Sequence, residues 1–173
     1  MSKTLLLTSF TTWKEAQPSN ASDDLLLEVL NVHSRVGLHT LRRLPVDFDI
    51  APQQAIAHIS CAQPDVLICC GMAETRTLLT VESTAARGDR ILKTSVDLDW
   101  LIHDLRMTEI SHNAGDFVCN HFYFDLLDHA QSHARTMQCV FVHVPILTAH
   151  NRVPILQDFG RMVERLRWGK PIA

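Results

Sequence analysis

Cys119 follows a turn of small residues, Ser111-His112-Asn113-Ala114-Gly115-Asp116, and stands near the start of an apolar stretch that opens at Phe117. The pattern predicts a helix over 117–135 with the cysteine in its first turn. Free backbone N–H groups and the helix dipole at that position favour a thiolate and can hold a developing oxyanion. His143 ends the apolar run Val140-Phe141-Val142, and Pro145 forces the chain out of that run two residues later. Active residues of open α/β sheets gather at the carboxyl ends of strands. An imidazole there can take a proton from a thiol and return it to a leaving amine. Glu82 comes just after the apolar run at Thr80-Val81, and a carboxylate can hold an imidazole in the productive tautomer. Each residue also has a plainer reading. A cysteine in an apolar helix is most often a small buried hydrophobe, a histidine at a strand end is usually satisfied by backbone, and an isolated glutamate after a strand is usually solvated. Spacing alone does not bring the three together.

The elements that would have to do so alternate between apolar runs and amphipathic stretches. That alternation predicts a mostly parallel sheet covered by helices. Strands are expected at 3–8, 40–46, 66–70 and 139–144, with a further, antiparallel candidate at 77–81 and a short one at 109–112. Helices are expected at 23–32 with Ser22 as cap, at 52–61 with Pro52 in the first turn, at 96–107, at 117–135 and at 156–167. Residues 11–20 are polar and read as a loop. There is no internal repeat or long linker, so residues 1–173 are expected to form a single α/β domain.

Composition narrows the partners. The 173 residues suit one hydrophobic core, and 46% of them are apolar against 20% charged. A formal net charge of −3 gives no electrostatic case for nucleic acid or an anionic membrane. The opening apolar run is too short for a signal peptide or a membrane span. The five cysteines (Cys61, Cys69, Cys70, Cys119 and Cys139) are expected as free thiols in a reducing, cytoplasmic setting. Ten histidines raise a metal-site alternative built on His112, Cys119 and His121, with His103, His129 and His133 near in sequence. Cys119 and His121 would diverge on a helix, however, and no pair has the usual structural-zinc spacing. The expectation is therefore no metal and no cofactor.

Taken together, the segments around Glu82, Cys119 and His143 resemble the pyroglutamyl peptidase I (pyrrolidone-carboxylate peptidase) family. Ser111-His112-Asn113-Ala114-Gly115 with Cys119-Asn120 is similar to the family's Ser-Asn-x-Ala-Gly-x-x-x-Cys-Asn segment, and Phe141-Val142-His143-Val144-Pro145 to its Phe-Ile-His-Val-Pro segment. Gly71-Met72-Ala73-Glu74-Thr75-Arg76, then Thr80-Val81-Glu82, resembles its Gly-x-Ala-Gly-Gly-Arg turn and Thr-Pro-Glu-Arg segment. The order Glu, Cys, His is the family's order. Weaker likeness runs over Leu6–Phe10, Leu44–Val46 and Gln63–Val66.

The resemblance implies an open, mostly parallel twisted sheet with helices on both faces. It also implies a cofactor-free thiol peptidase that removes N-terminal pyroglutamate from peptides. Cys119 would be the nucleophile, His143 the base and Glu82 its orienting acid. Phe10 and Trp13 would enclose the lactam ring, Trp13 standing where the family has a second Phe, and Met72 is counted with them as substrate-binding. The implied partner is a peptide or small amide, and homo-oligomers are left open. Two departures stand out: Thr11–Glu15 replaces a Gly-rich first loop, and Glu74-Thr75 replaces Gly-Gly. The stretch between Glu82 and Cys119 is also shorter than in the family. That missing stretch carries an Arg near the catalytic centre, for which Arg87 or Arg90 is the candidate substitute. The alternatives are a divergent cysteine amidase for another small amide, or a non-catalytic binding descendant. Thiolate activation further predicts that iodoacetamide modifies Cys119 before the other four cysteines.

Overall fold

The computed structural model describes residues 2–32, 36–133 and 136–169. In chain order the elements are β1 (Leu5–Phe10), α1 (Ala21–Val32), β2 (Leu38–Leu44), α2 (Ile50–Ala62), β3 (Val66–Met72), β4 (Leu79–Glu82), β5 (Thr84–Arg87), β6 (Arg90–Lys93), α3 (Leu98–Ile102), β7 (Thr108–Ser111), α4 (Val118–Ser132), β8 (Gln138–Val144) and α5 (Arg152–Trp168). Six strands form one sheet in the order β2-β1-β3-β8-β4-β7. β2, β1, β3 and β8 run parallel, while β4 is antiparallel to β8 and carries β7 parallel to itself. The expected mostly parallel sheet is therefore present, with helices on both faces.

The central strands read as continuous apolar runs because both faces are covered. Leu6, Leu67, Cys139 and Phe141 point into a core shared with α2 and α4. Their alternates Leu5, Leu7, Val66, Ile68, Val140 and Val142 point into a second core shared with α1, α3 and α5. Each fully buried Leu, Ile, Val or Phe contributes about 1.5–3 kcal/mol by leaving water. The chain thus passes from a helix on one face, α1, to a helix on the other, α2, as it goes from β1 through β2 to β3. That reversal opens a crevice at the carboxyl ends of β1 and β3.

Several expected elements shift. The cap of α1 is Asn20, not Ser22: Asn20 Oδ1 accepts from the Ser22 N–H at 3.0 Å, and Ser22 lies inside the helix. The expected helix over 96–107 shrinks to Leu98–Ile102, capped by Asp97, whose carboxylate accepts the Trp100 N–H at 3.0 Å. α5 starts at Arg152, four residues earlier than expected, with Pro154 in its first turn, where a missing N–H costs nothing. Of the expected helix 117–135, residues 134–135 lie outside the described residues.

The β5–β6 hairpin was not foreseen. Its Gly88-Asp89 turn places Gly88 at φ +57, a conformation that glycine adopts without steric cost. The hairpin lies on α4, where Asn120 mimics a backbone partner. Its Oδ1 accepts the Ala86 N–H at 2.9 Å and its Nδ2 donates to the Ala86 carbonyl at 2.7 Å. No helix among the described residues is long and apolar enough to cross a membrane.

Candidate active site

Strand register decides which side chains can meet. His143 on β8 is paired with Gly71 of β3 on one side and with Thr80 of β4 on the other, and Glu82 is paired with Phe141. Paired residues, and residues two apart on one strand, share a face. Gly71, His143, Phe141, Thr80 and Glu82 therefore all face α4. Because β4 runs against β8, the last residue of β4 arrives one layer deeper in the sheet than His143. Glu82 is for that reason fully buried rather than solvated.

Nδ1 of His143 lies 2.7 Å from Oε1 of Glu82, and His143 is itself buried. Opposite an ionised carboxylate, Nδ1 carries the proton and donates it, which leaves Nε2 as the acceptor. The same Oε1 accepts a 2.6 Å bond from Nη1 of Arg76. Arg76 also donates to the hydroxyl of Thr80 and, from Nη2, to the Asn113 carbonyl at 2.9 Å. One guanidinium thus joins the acid to the loop that leads into α4. Burial works against ionisation of Glu82. The bond from His143, the hydroxyl of Ser111, and the charges of His143 and Arg76 outweigh it and hold the carboxyl below its usual range.

Cys119 is the second residue of α4. A β-carbon built on Gly71 would fall 2.7 Å from its Sγ and 2.8 Å from Cζ of Phe141. The thiol therefore occupies the space over Gly71, on the strand next to His143, and neighbouring strands are about 4.8 Å apart. The ring of Phe141, 4.9 Å centre to centre from the His143 imidazole, floors the same space. Gly71 has no positive φ. Its value here is absent volume, not conformational freedom.

The thiol is not a resident thiolate. Burial, then the negative charge of Glu82, pushes its pKa up to about 12 against the smaller opposing effects of Arg76 and its own N–H. Here the sequence expectation is corrected: the benefit of a helix start is outweighed by desolvation. Cys61 is the exposed cysteine, Cys119 is half-buried, and Cys69, Cys70 and Cys139 are buried, so Cys61 is expected to be alkylated first.

In front of the thiol lies an apolar cavity of about 30 Å³, lined by Phe10, Trp13, Asn20, Val46, Met72, Phe117, Val118 and Cys119. Phe10, Trp13 and Met72 thus meet at Cys119, from the ends of β1 and β3 and the loop after β1. Asn20 and Val46 join them without having been named from sequence as site residues, and neither was Arg76, which lies beside Glu82. Arg87 and Arg90 are not at the site. They pair with Asp125 and Asp128 of α4 at 2.8 and 2.6 Å and lie over the ring of Phe124. The ligands of the metal alternative do not gather around Cys119: His112 bonds Ser83 at 2.7 Å, His121 packs edge-on against Phe48, and His129 and His133 stack on each other at 5.1 Å. Among the described residues no three His, Cys, Asp or Glu side chains are grouped to hold a metal ion.

These features describe an α/β protein with a cysteine lining an apolar pocket at the carboxyl edge of its sheet and a buried histidine–glutamate pair on the neighbouring strands. A sequence model of the pyroglutamyl peptidase family matches residues 102–156, a span that contains both Cys119 and His143. A pyrrolidone-carboxylate peptidase of Pectobacterium carotovorum is 28% identical over 83% of this chain and 78% of its own length. One from Brevibacillus brevis is 23% identical over 84% and 79%. The crystal structure of pyroglutamyl peptidase I from Bacillus amyloliquefaciens superposes with a TM-score of 0.81 over 92% of this chain and 94% of that one, at 19% identity. Pyrrolidone carboxyl peptidase from Thermococcus litoralis gives 0.79 at 17% identity. The chain thus has the fold of the pyroglutamyl peptidases, and the stretch that holds Cys119 and His143 is similar in sequence to theirs.

Two outcomes are expected. Gly71→Ala should drive Cys119 and Phe141 apart, lowering stability by about 1–3 kcal/mol, or roughly 2–4 °C of Tm per kcal/mol; an unchanged Tm in a thermal melt would contradict the packing. With iodoacetamide at neutral pH, mass mapping should find Cys61 labelled ahead of Cys119. The Cys119 rate should then climb about tenfold per pH unit on the alkaline side, as for an un-ionised thiol. A rate that levels off near neutrality would contradict the elevated pKa.

Proposed function

We propose that this protein is a cysteine exopeptidase that removes an N-terminal pyroglutamyl residue from peptides, with Cys119 as nucleophile, His143 as general base and acid, and Glu82 as the residue that orients His143. The observation that carries the reading is the buried 2.7 Å contact between Glu82 and His143, on the strand beside the Gly71 gap that the Cys119 thiol fills. Similarity to the pyrrolidone-carboxylate peptidases supports the substrate class.

In this mechanism Nε2 of His143 takes the thiol proton as Sγ attacks the carbonyl carbon that joins pyroglutamate to the next residue. Because the thiol is un-ionised at rest, deprotonation and attack are coupled, and the imidazolium that forms is stabilised by Glu82. Backbone N–H groups of the first turn of α4 face the developing oxyanion. His143 then gives its proton to the departing amine, leaving a thioester on Cys119. Water, deprotonated by His143, attacks the thioester; Sγ leaves and recovers its proton, and pyroglutamate is released. The flat, neutral lactam suits the apolar walls formed by Phe10, Trp13 and Met72. Arg76 keeps Glu82 ionised, a task for which its bond to Oε1 and anchorage on Asn113 suit it. An exposed free cysteine, Cys61, fits a reducing cytoplasmic compartment.

The test is hydrolysis of a fluorogenic pyroglutamyl amide under reducing conditions. Cys119→Ala or His143→Ala should lower kcat by roughly a millionfold, and Glu82→Gln by about ten-thousandfold. Wild-type turnover that survives Cys119→Ala would overturn the mechanism. A folded wild type inert on this amide but active on another small amide would overturn the substrate assignment alone.

A further inference from the structure

Two of the places where the sequence departs from the family pattern, Thr11–Glu15 and Glu74-Thr75, are in contact with each other. Glu74, in the turn after β3, receives Nζ of Lys14 as an ion pair and Nε2 of Gln17 at 2.9 Å. Oε1 of Gln17 in turn accepts the backbone N–H groups of Trp13 at 3.0 Å and Lys14 at 3.2 Å. The ammonium of Lys14 also lies over the Trp13 indole, 5.5 Å from its centre. Glu74 thus grips, through two side chains, the segment that carries one wall of the pocket in front of Cys119. Lys14 and Gln17 both hold its carboxyl below the usual range, so the grip is ionised at neutral pH.

The pocket that wall lines is about 30 Å³, room for little more than ordered water. A five-membered lactam does not enter until the wall moves. The walls supplied by Phe10, Met72 and Val118 belong to buried core residues, and interiors of that kind are close-packed and resist displacement. Trp13 is half-buried and packs against the core that α1 shares, while the segment on either side of it lies at the surface and is tied down through Gln17 and Glu74, so it is the wall whose place those polar contacts set.

We propose that Glu74 is a positioning residue that latches the Trp13 loop over the pocket, and that release of the Lys14/Gln17–Glu74 contacts admits the ring of the substrate. This rests on reading the cavity as the substrate pocket. An exposed pair of this kind contributes little energy, which is what a gate that opens on each turnover needs.

The experiment reads access to Cys119 without relying on turnover. Wild type, Glu74→Ala and the charge exchange Lys14→Glu/Glu74→Lys are alkylated with iodoacetamide at one alkaline pH. Labelling at Cys119 and Cys61 is quantified by mass mapping, the exposed Cys61 serving as internal standard. Glu74→Ala is expected to raise the Cys119 to Cys61 rate ratio about two- to fivefold, the span expected for an exposed pair, and the exchange to restore it towards wild type. Raising salt to about 1 M, where screening acts within about 3 Å, should lift the ratio in wild type but not in Glu74→Ala. A ratio unchanged by Glu74→Ala, or a salt effect equal in both proteins, would overturn the latch. On a pyroglutamyl amide, Glu74→Ala should lower KM by the same factor with kcat unchanged; a raised KM would also overturn it. If no pyroglutamyl amide is turned over at all, the substrate assignment fails while the labelling ratio still decides the latch.

Discussion

The space over Gly71 is the constraint around which the site is built. It is the one position in the central strands where a missing side chain admits the Cys119 thiol, because a β-carbon there would collide with both Cys119 Sγ and Phe141. β3 must therefore pair with β8 in the register that sets Gly71 beside His143. α4 must approach the sheet closely enough to lower its second residue into the gap. The two cores, one on each face, fix that approach. A shift of one residue in the pairing would turn His143 to the other face and separate it from Glu82 and from the thiol.

Electrostatics follow from that packing. The gap that seats the thiol also dries it, so Cys119 rests un-ionised with its pKa at about 12. The antiparallel β4 buries Glu82 under His143, and a buried carboxylate needs partners to stay ionised. His143 and Arg76 supply them at 2.7 and 2.6 Å. The result is a division of labour. Charge rests on Glu82 and its guanidinium partner, and in the proposed mechanism the thiol is ionised only when the imidazole takes its proton.

Much of this was legible in the sequence. The apolar runs at 66–70 and 139–144 are continuous because those strands are covered on both faces, so they read clearly as strands, and the segments around Cys119 and His143 carried the family resemblance. Phe10, Trp13 and Met72 do line the cavity at Cys119. What could not be read depends on register and depth. Nothing in Thr80-Val81-Glu82 announces that the strand runs against β8 and so buries its glutamate. Nothing local to Arg76 says that it reaches both Glu82 and Asn113. The rule that a helix start favours a thiolate failed because it ignores how dry the site becomes. Gly88-Asp89 is a hairpin signal that was open to view between Arg87 and Arg90, but the flanking strands are only four residues each and lack a strong apolar alternation.

The central claim is that Cys119, seated over Gly71, becomes acylated during turnover. The most direct measurement is rapid acid quench of wild-type protein with an activated pyroglutamyl ester, followed by peptide mass mapping. The account predicts one pyroglutamyl acyl group, carried as a thioester on the peptide containing Cys119 and absent from His143→Ala quenched at the same time. Ester turnover with no adduct on Cys119, or an acyl group found only on another cysteine, would contradict it.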